Sequence, residues 1–113
     1  MEESLRPWGR YARLFMGEDF QVKRIEVNPG AQFSLQKHLK RAERWIVTSG
    51  KGRAVVGDRV IEVQRGSYVE IELGQVHRMT NSGEEPLVFI EVQFGSYLGE
   101  DDIVRLQDDF GRA

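Results

Sequence analysis

"RAVVGDRVIEV", Arg53 to Val63, decides the architecture. Two runs rich in β-branched residues flank Gly57-Asp58, a pair suited to a tight reversal, so the stretch reads as a β-hairpin bent at those two residues. Working outward, the pattern repeats. "FQVKRIEV" stops at "NPG", and "FSLQKH", "RWIVTSG", "GSYVEI", "VHRMT" and "PLVFIEVQF" are each short and bounded by turn residues. Strands so spaced between Phe20 and Phe94 predict an antiparallel, all-β barrel or sandwich. Only "GEDDIVRLQDDFGR" reads differently. Its acids lie in a first turn, Ile103 and Leu106 are three apart, and Gly111 offers a stop, so a short C-terminal helix is expected over about 99–108. The expected organisation is one domain over residues 1–113, with a barrel core of about 20–94.

Composition narrows the function. The chain has 113 residues, 40% hydrophobic and 30% charged, in the range of globular proteins. A net charge of -2, from 16 basic and 18 acidic residues, gives no global field for nucleic acid or an anionic membrane. With no cysteine, disulfides, thiolate metal sites and cysteine nucleophiles are excluded. The opening "MEESLRPWGRY" has no apolar core for a signal peptide, and no run approaches the roughly 20 apolar residues that span a bilayer. A cytoplasmic protein is expected.

The two histidines, His38 and His77, carry the chemistry. Residues two apart on a strand share a face, so Gln36 and His38 point the same way. Glu43 opens the next strand after a short turn, and His77 lies on a later one. Gln36, His38, Glu43 and His77 thus offer oxygen, nitrogen, oxygen and nitrogen, a set without sulfur. It suits one divalent ion, zinc first, with manganese, iron, nickel or cobalt compatible.

The spacing Gly30-x5-Gln36-x-His38-x4-Glu43-x6-Gly50 resembles the first cupin motif, with Gln36 where many cupins have histidine. Gly66-x5-Glu72-x-Gly74-x2-His77-x3-Asn81 resembles the second, with Glu72 in place of proline. "RPWGRY", "FQVKRIEVNPG", "SLQKH", "RAERWIV", "HRMTNSGEEPL" and "IEVQFGSYLGEDDIVR" are similar to the cupin domain of type II phosphomannose isomerases. That domain usually forms the C-terminal part of bifunctional mannose-1-phosphate guanylyltransferase/mannose-6-phosphate isomerases. The resemblance implies a cupin barrel (double-stranded β-helix), a divalent metal, and interconversion of mannose 6-phosphate and fructose 6-phosphate in polysaccharide-precursor metabolism. No glycine-rich nucleotide loop is present, so guanylyl transfer is not expected of this chain alone.

Two positions depart from the family pattern: Lys40 and Arg44 stand where histidines are usual. Arg44 alternates away from Glu43 and should face outward, whereas Lys40 shares the parity of Gln36 and His38. An aldose–ketose isomerase needs a base beside C1 and C2, for which Lys37, Lys40, Glu72 and Glu91 are the candidates. Phosphate recognition falls to Arg41, Arg78 and Lys40. Two other readings fit the same residues. Two histidines and one carboxylate suit a non-haem iron oxygenase, and a cupin can bind a sugar or metabolite without turnover. "LVFIEVQF" is apolar on both parities, which asks for a cover outside the barrel, either the N-terminal "PWGRYARLF" or a second subunit. A homodimer is expected.

Overall fold

The computed structural model describes residues 2–107, all of them in strands, turns and loops. The strands are β1 (Glu2–Arg6), β2 (Gly9–Met16), β3 (Phe20–Val27), β4 (Leu35–Lys37), β5 (Arg41–Ser49) and β6 (Lys51–Val56). β7 (Arg59–Gln64), β8 (Tyr68–Ile71), β9 (His77–Thr80), β10 (Leu87–Gly95) and β11 (Val104–Gln107) complete the set. They form a six-stranded sheet in the order β1-β2-β3-β10-β5-β8 and a five-stranded sheet in the order β11-β4-β9-β6-β7. Every pairing is antiparallel. β1 and β2 extend the larger sheet ahead of Phe20, so most of "PWGRYARLF" is a strand paired between β1 and β3 rather than an outer cover. Among the described residues no helix is long and apolar enough to cross a membrane.

The hairpin at Arg53–Val63 forms with Val56 opposite Arg59. Gly57 has φ 62° and Asp58 keeps a negative φ, the pattern of a type II′ turn that needs glycine first.

The two inner faces meet in one apolar core. Ile25, Trp45, Val47 and Phe89 come from the larger sheet, and Ala54, Val56, Val63 and Met79 from the smaller. Burying each large side chain contributes on the order of 1.5–3 kcal/mol. Alternation then dictates something further. On β10, Leu87, Phe89, Glu91 and Gln93 share a parity, and all four are buried. Cross-strand register sets Lys23, Glu91 and Trp45 in one row, and Gln21, Gln93 and Glu43 in the next. The inner face of a single sheet is therefore apolar at one end and polar at the other.

The expected C-terminal helix does not form. Val104–Gln107 is strand β11, with Val104 opposite Lys37 and Arg105 opposite Gln36. A helix of about ten residues is marginal by itself, whereas the open edge of β4 offers unpaired N–H and C=O groups that an added strand satisfies. The rest of the expected helix, residue 108, and the stop at Gly111 lie outside the described residues.

Gly95 ends β10 against the start of β5. A Cβ there would lie 2.2 Å from the Lys40 carbonyl oxygen and 2.9 Å from Arg41 Cα, and both neighbours are backbone. Gly95→Ala is expected to destabilise the fold by about 1–3 kcal/mol, read as a lower midpoint in urea with an unchanged slope.

Candidate metal centre

Three buried residues from three chain segments converge. His38 follows β4, Glu43 lies on β5 and His77 opens β9, and their ligand atoms all lie within 4.8 Å of one another. Both imidazoles are oriented by backbone carbonyls. His38 Nδ1 donates to Asp102 O at 2.6 Å, and His77 Nδ1 donates to Gln75 O at 2.9 Å. Each Nε2 is left as a bare lone pair, the arrangement usual for metal-binding histidines. His77 Nε2 is buried with no hydrogen-bond partner and lies 3.9 Å from Glu43 Oε1. His38 Nε2 lies 3.3 Å from Glu43 Oε2 and accepts from Arg41 Nη2 at 3.1 Å and Gln36 Nε2 at 3.2 Å. Two imidazole nitrogens and a carboxylate fit a borderline divalent ion.

Gln36 stands opposite His77 on the neighbouring strand. Its amide oxygen accepts from Ser34 Oγ, so the amide nitrogen faces His38. Turning the amide over would aim its oxygen at the ligand cluster, because a serine hydroxyl accepts as readily as it donates.

Beside the ligands lies a second carboxyl. Trp45 Nε1 donates to Glu43 Oε1 at 3.0 Å and to Glu91 Oε2 at 3.1 Å, tying the two acids together. Gln93 Nε2 donates to Glu91 Oε1, and Gln21 Nε2 donates to Gln93 Oε1. Burial, reinforced by the charge of Glu43, pushes the Glu91 carboxyl up to about 8. Burial, with Arg41 adding to it at His38, lowers both histidines to about 4. The imidazoles are thus neutral and able to ligate at neutral pH.

Several of these groups line a cavity of about 80 Å³. Lys23, Gln36, Arg41, Glu43, His77, Glu91, Glu100 and Arg105 all contribute to its wall. Arg41 Nε donates to Glu43 Oε2 at 3.0 Å. The segment 96–103, which has no strand pairing, supplies Glu100 and Ile103 to the same wall. Gln21 Nε2 donates to Leu98 O, and the Asp102 carboxylate accepts from the amides of Leu39 and Lys40. Glu100 reaches inward to Lys23 Nζ at 2.5 Å. Although burial favours its neutral form, Lys23 and then Arg41 hold the Glu100 carboxyl below the usual carboxylate range.

The structure brings Gln36, His38, Glu43, His77, Arg41 and Glu91 together. Lys37 alternates away from Gln36 on β4. Lys40 is exposed at the turn, its ammonium 5.2 Å from the Tyr97 ring centre. Glu72 is paired with Arg44, which also contacts Glu70 and lies over Phe94 on the outside of the sheet. Arg78 donates to Phe33 O and to Gln107, fastening β9 to β11 rather than lining the cavity. Lys23, Gln21, Gln93, Glu100 and Arg105 were not anticipated. In "FQVKRIEV", Gln21 and Lys23 share parity with Ile25 and Val27, so the inward-facing pair was already written there.

A two-sheet, double-stranded β-helix barrel with a His-Glu-His cluster at one end defines the cupin class. Residues 1–108 match the family described as "Mannose-6-phosphate isomerase C-terminal", and the chain belongs to that family. It is 55% identical over 108 residues to the xanthan biosynthesis protein XanB of Xanthomonas campestris pv. campestris (strain B100), covering 96% of this chain and 23% of that protein. It is 51% identical over 111 residues to the alginate biosynthesis protein AlgA of Pseudomonas aeruginosa, covering 98% of this chain and 23% of that protein. The chain therefore spans about a quarter of the length of the curated relatives it matches. Among solved structures, the capsular polysaccharide assembling protein CapF from Staphylococcus aureus superposes with a TM-score of 0.80 at 22% identity. That match covers 94% of this chain and 34% of CapF, and shows the fold alone.

The shifted groups give a pH dependence of known sign. An unfolded histidine takes up a proton near 6.5 and the folded ones only near 4, so stability is lost as pH falls between those values. Glu91 keeps its proton up to about 8 in the fold and loses it near 4.5 when unfolded, so its contribution is lost as pH rises through that range. Two imidazoles outnumber one carboxyl below pH 6.5, and above it only the carboxyl acts. Denaturation in the presence of chelator is expected to show maximal stability near pH 6.5, falling on both sides. A stability that is flat from pH 4.5 to 6.5 would contradict the burial of the two imidazoles.

Proposed function

We propose that the chain is a metal-dependent sugar-phosphate isomerase acting in the cytoplasm on mannose 6-phosphate and fructose 6-phosphate, in the supply of polysaccharide precursors. The observation that carries this reading is that the His38-Glu43-His77 cluster presents Glu43 and His77 to a cavity whose wall also holds the Glu91 carboxyl and several cations. Membership of the isomerase family and the polysaccharide-biosynthesis names of XanB and AlgA support it.

His38, Glu43 and His77 would hold the ion, zinc first, with Gln36 as the fourth ligand once its amide is turned. When bound, a divalent ion supplies an electrophile that polarises the sugar carbonyl. A bound ion would take the place of the Arg41 guanidinium, which now donates to Glu43 and His38, and would leave Arg41 available to an anionic substrate.

Isomerisation moves one proton from C2 to C1 and another from O2 to O1. Glu91, the strand-borne carboxyl in the cavity wall outside the ligand cluster, is assigned to the carbon-bound proton. Burial keeps it protonated up to about 8 in the metal-free fold, and the charge of a bound divalent ion would favour the ionised form that takes the proton from C2 and returns it to C1. Trp45 and Gln93 hold that carboxyl in one orientation while leaving lone pairs on its oxygens. Lys37 and Lys40, turned elsewhere, are not needed.

Fructose 6-phosphate is expected to form from mannose 6-phosphate in the presence of zinc, cobalt, manganese or nickel, and to stop on chelation. His77→Ala should remove the metal from the purified protein, read by elemental analysis. Glu91→Gln should retain metal and fold but lose about 10²–10⁴ in kcat. Absence of turnover with all four metals, combined with ligand-induced thermal stabilisation, would favour a non-catalytic sugar-phosphate binder.

The assembly reading belongs here too. Ile46, Tyr68, Ile90, Val92 and Phe94 place an apolar patch on the outer face of β5, β8 and β10, and a second copy is the proposed cover. Light scattering should give twice the 13.0 kDa chain mass, and Ile46→Glu should return the monomer.

A further inference from the structure

Three buried side-chain nitrogens lack a hydrogen-bond partner among the described residues: Arg41 Nη1, His77 Nε2 and Arg105 Nε. All three residues line the same cavity. Such groups are scarce in folded proteins, because a buried donor or acceptor left unpaired gives up its hydration without compensation. Their chemistry separates them. His77 Nε2 is a lone pair and belongs with the metal ligands. The two arginine atoms are N–H donors on cations that do not lose their proton to escape burial.

A third cation stands with them. Lys23 is 2% exposed, its ammonium 4.4 Å from the Tyr11 ring centre and hydrogen-bonded to Glu100. Glu100 is 45% exposed, and its same carboxylate oxygen lies 3.8 Å from Arg41 Nη1, beyond hydrogen-bond reach. One half-exposed carboxylate thus faces Lys23 and Arg41, while two donors in the same cavity wall, on Arg41 and Arg105, stay unmet.

We propose that Lys23, Arg41 and Arg105 form the subsite for the phosphate monoester of the substrate, and that Glu100 occupies it as an internal stand-in until phosphate displaces it. The inference rests on the sugar-phosphate reading above and names the residues that read the phosphate. Three observations favour it. A phosphate monoester brings nearly two charges and three acceptor oxygens, against one charge and two oxygens on Glu100. The cations sit on paired strands β3, β5 and β11, whereas Glu100 sits on the unpaired segment 96–103 and can leave for water. Finally, about 80 Å³ is far below the roughly 300 Å³ of ordinary small-molecule sites, so a sugar phosphate enters only if part of the wall withdraws.

The test is calorimetric titration of the zinc-loaded full chain with inorganic phosphate and mannose 6-phosphate, and with mannose as the uncharged control. Both anions are expected to bind, and mannose at least about tenfold more weakly. Arg105→Gln should weaken both anions by about tenfold or more, the loss of a charged hydrogen bond. Glu100→Gln should tighten both, by about tenfold, because it removes the competitor. Both positions are partly exposed, so the variants should fold, which thermal melting verifies. Affinity unchanged by Arg105→Gln, or unchanged or weakened by Glu100→Gln, overturns the subsite. The isomerase reading fails separately: anion binding with the expected responses but no turnover with any metal keeps the subsite and removes the activity. Turnover with anion binding indifferent to both substitutions does the reverse.

Discussion

The indole N–H of Trp45, shared between Glu43 and Glu91, is the interaction on which the site depends. In this buried wall Glu91, beside the charge of Glu43 and away from water, resists ionisation. A neutral donor placed between them satisfies one oxygen of each without adding charge. The ring that carries this N–H is fully buried and packs against Phe33, Phe89 and His77. The same side chain is therefore the last member of the apolar core and the first of the polar site. Its position follows from register alone, since Trp45 stands directly across from Glu91 on β10.

That arrangement explains why the polar end of the barrel survives its own cost. Lys23, Gln21, Glu43, Glu91 and Gln93 are all nearly buried on one sheet face, where apolar residues of similar size would pack with no desolvation penalty. They instead form a connected chain from Arg13 through Gln21 and Gln93 to Glu91, Trp45 and Glu43. A protein that departs from ordinary core chemistry at one place, and satisfies nearly every group there, marks that place as a site of function.

Much of this was legible in the residues. Alternation and turn glycines indicated an all-strand barrel, and motif spacing brought His38, Glu43 and His77 together before any coordinates did. Parity also placed Arg44 outward, where it contacts Glu70, Glu72 and Phe94. At Lys40 parity holds only if the strand continues, and the strand ends at Lys37 before the chain turns. Both departures from the family's histidine pattern consequently fall outside the ligand cluster. The C-terminal strand was illegible for a different reason. Nothing local in "IVRLQ" distinguishes a strand from a helical turn, and what selects the strand is the vacant edge of β4, more than sixty residues away. Glu100 and Arg105 were missed with it.

The Asp102 backbone carbonyl, which sets the orientation of His38, comes from this last stretch of chain. In the order of synthesis the consequence is temporal. The apolar half of the barrel closes once β10 has paired between β3 and β5, but the first imidazole acquires its fixed tautomer only after Asp102 has left the ribosome and docked. Any ion held at His38 would therefore meet a fully oriented imidazole only after the core strands up to β10 have been made.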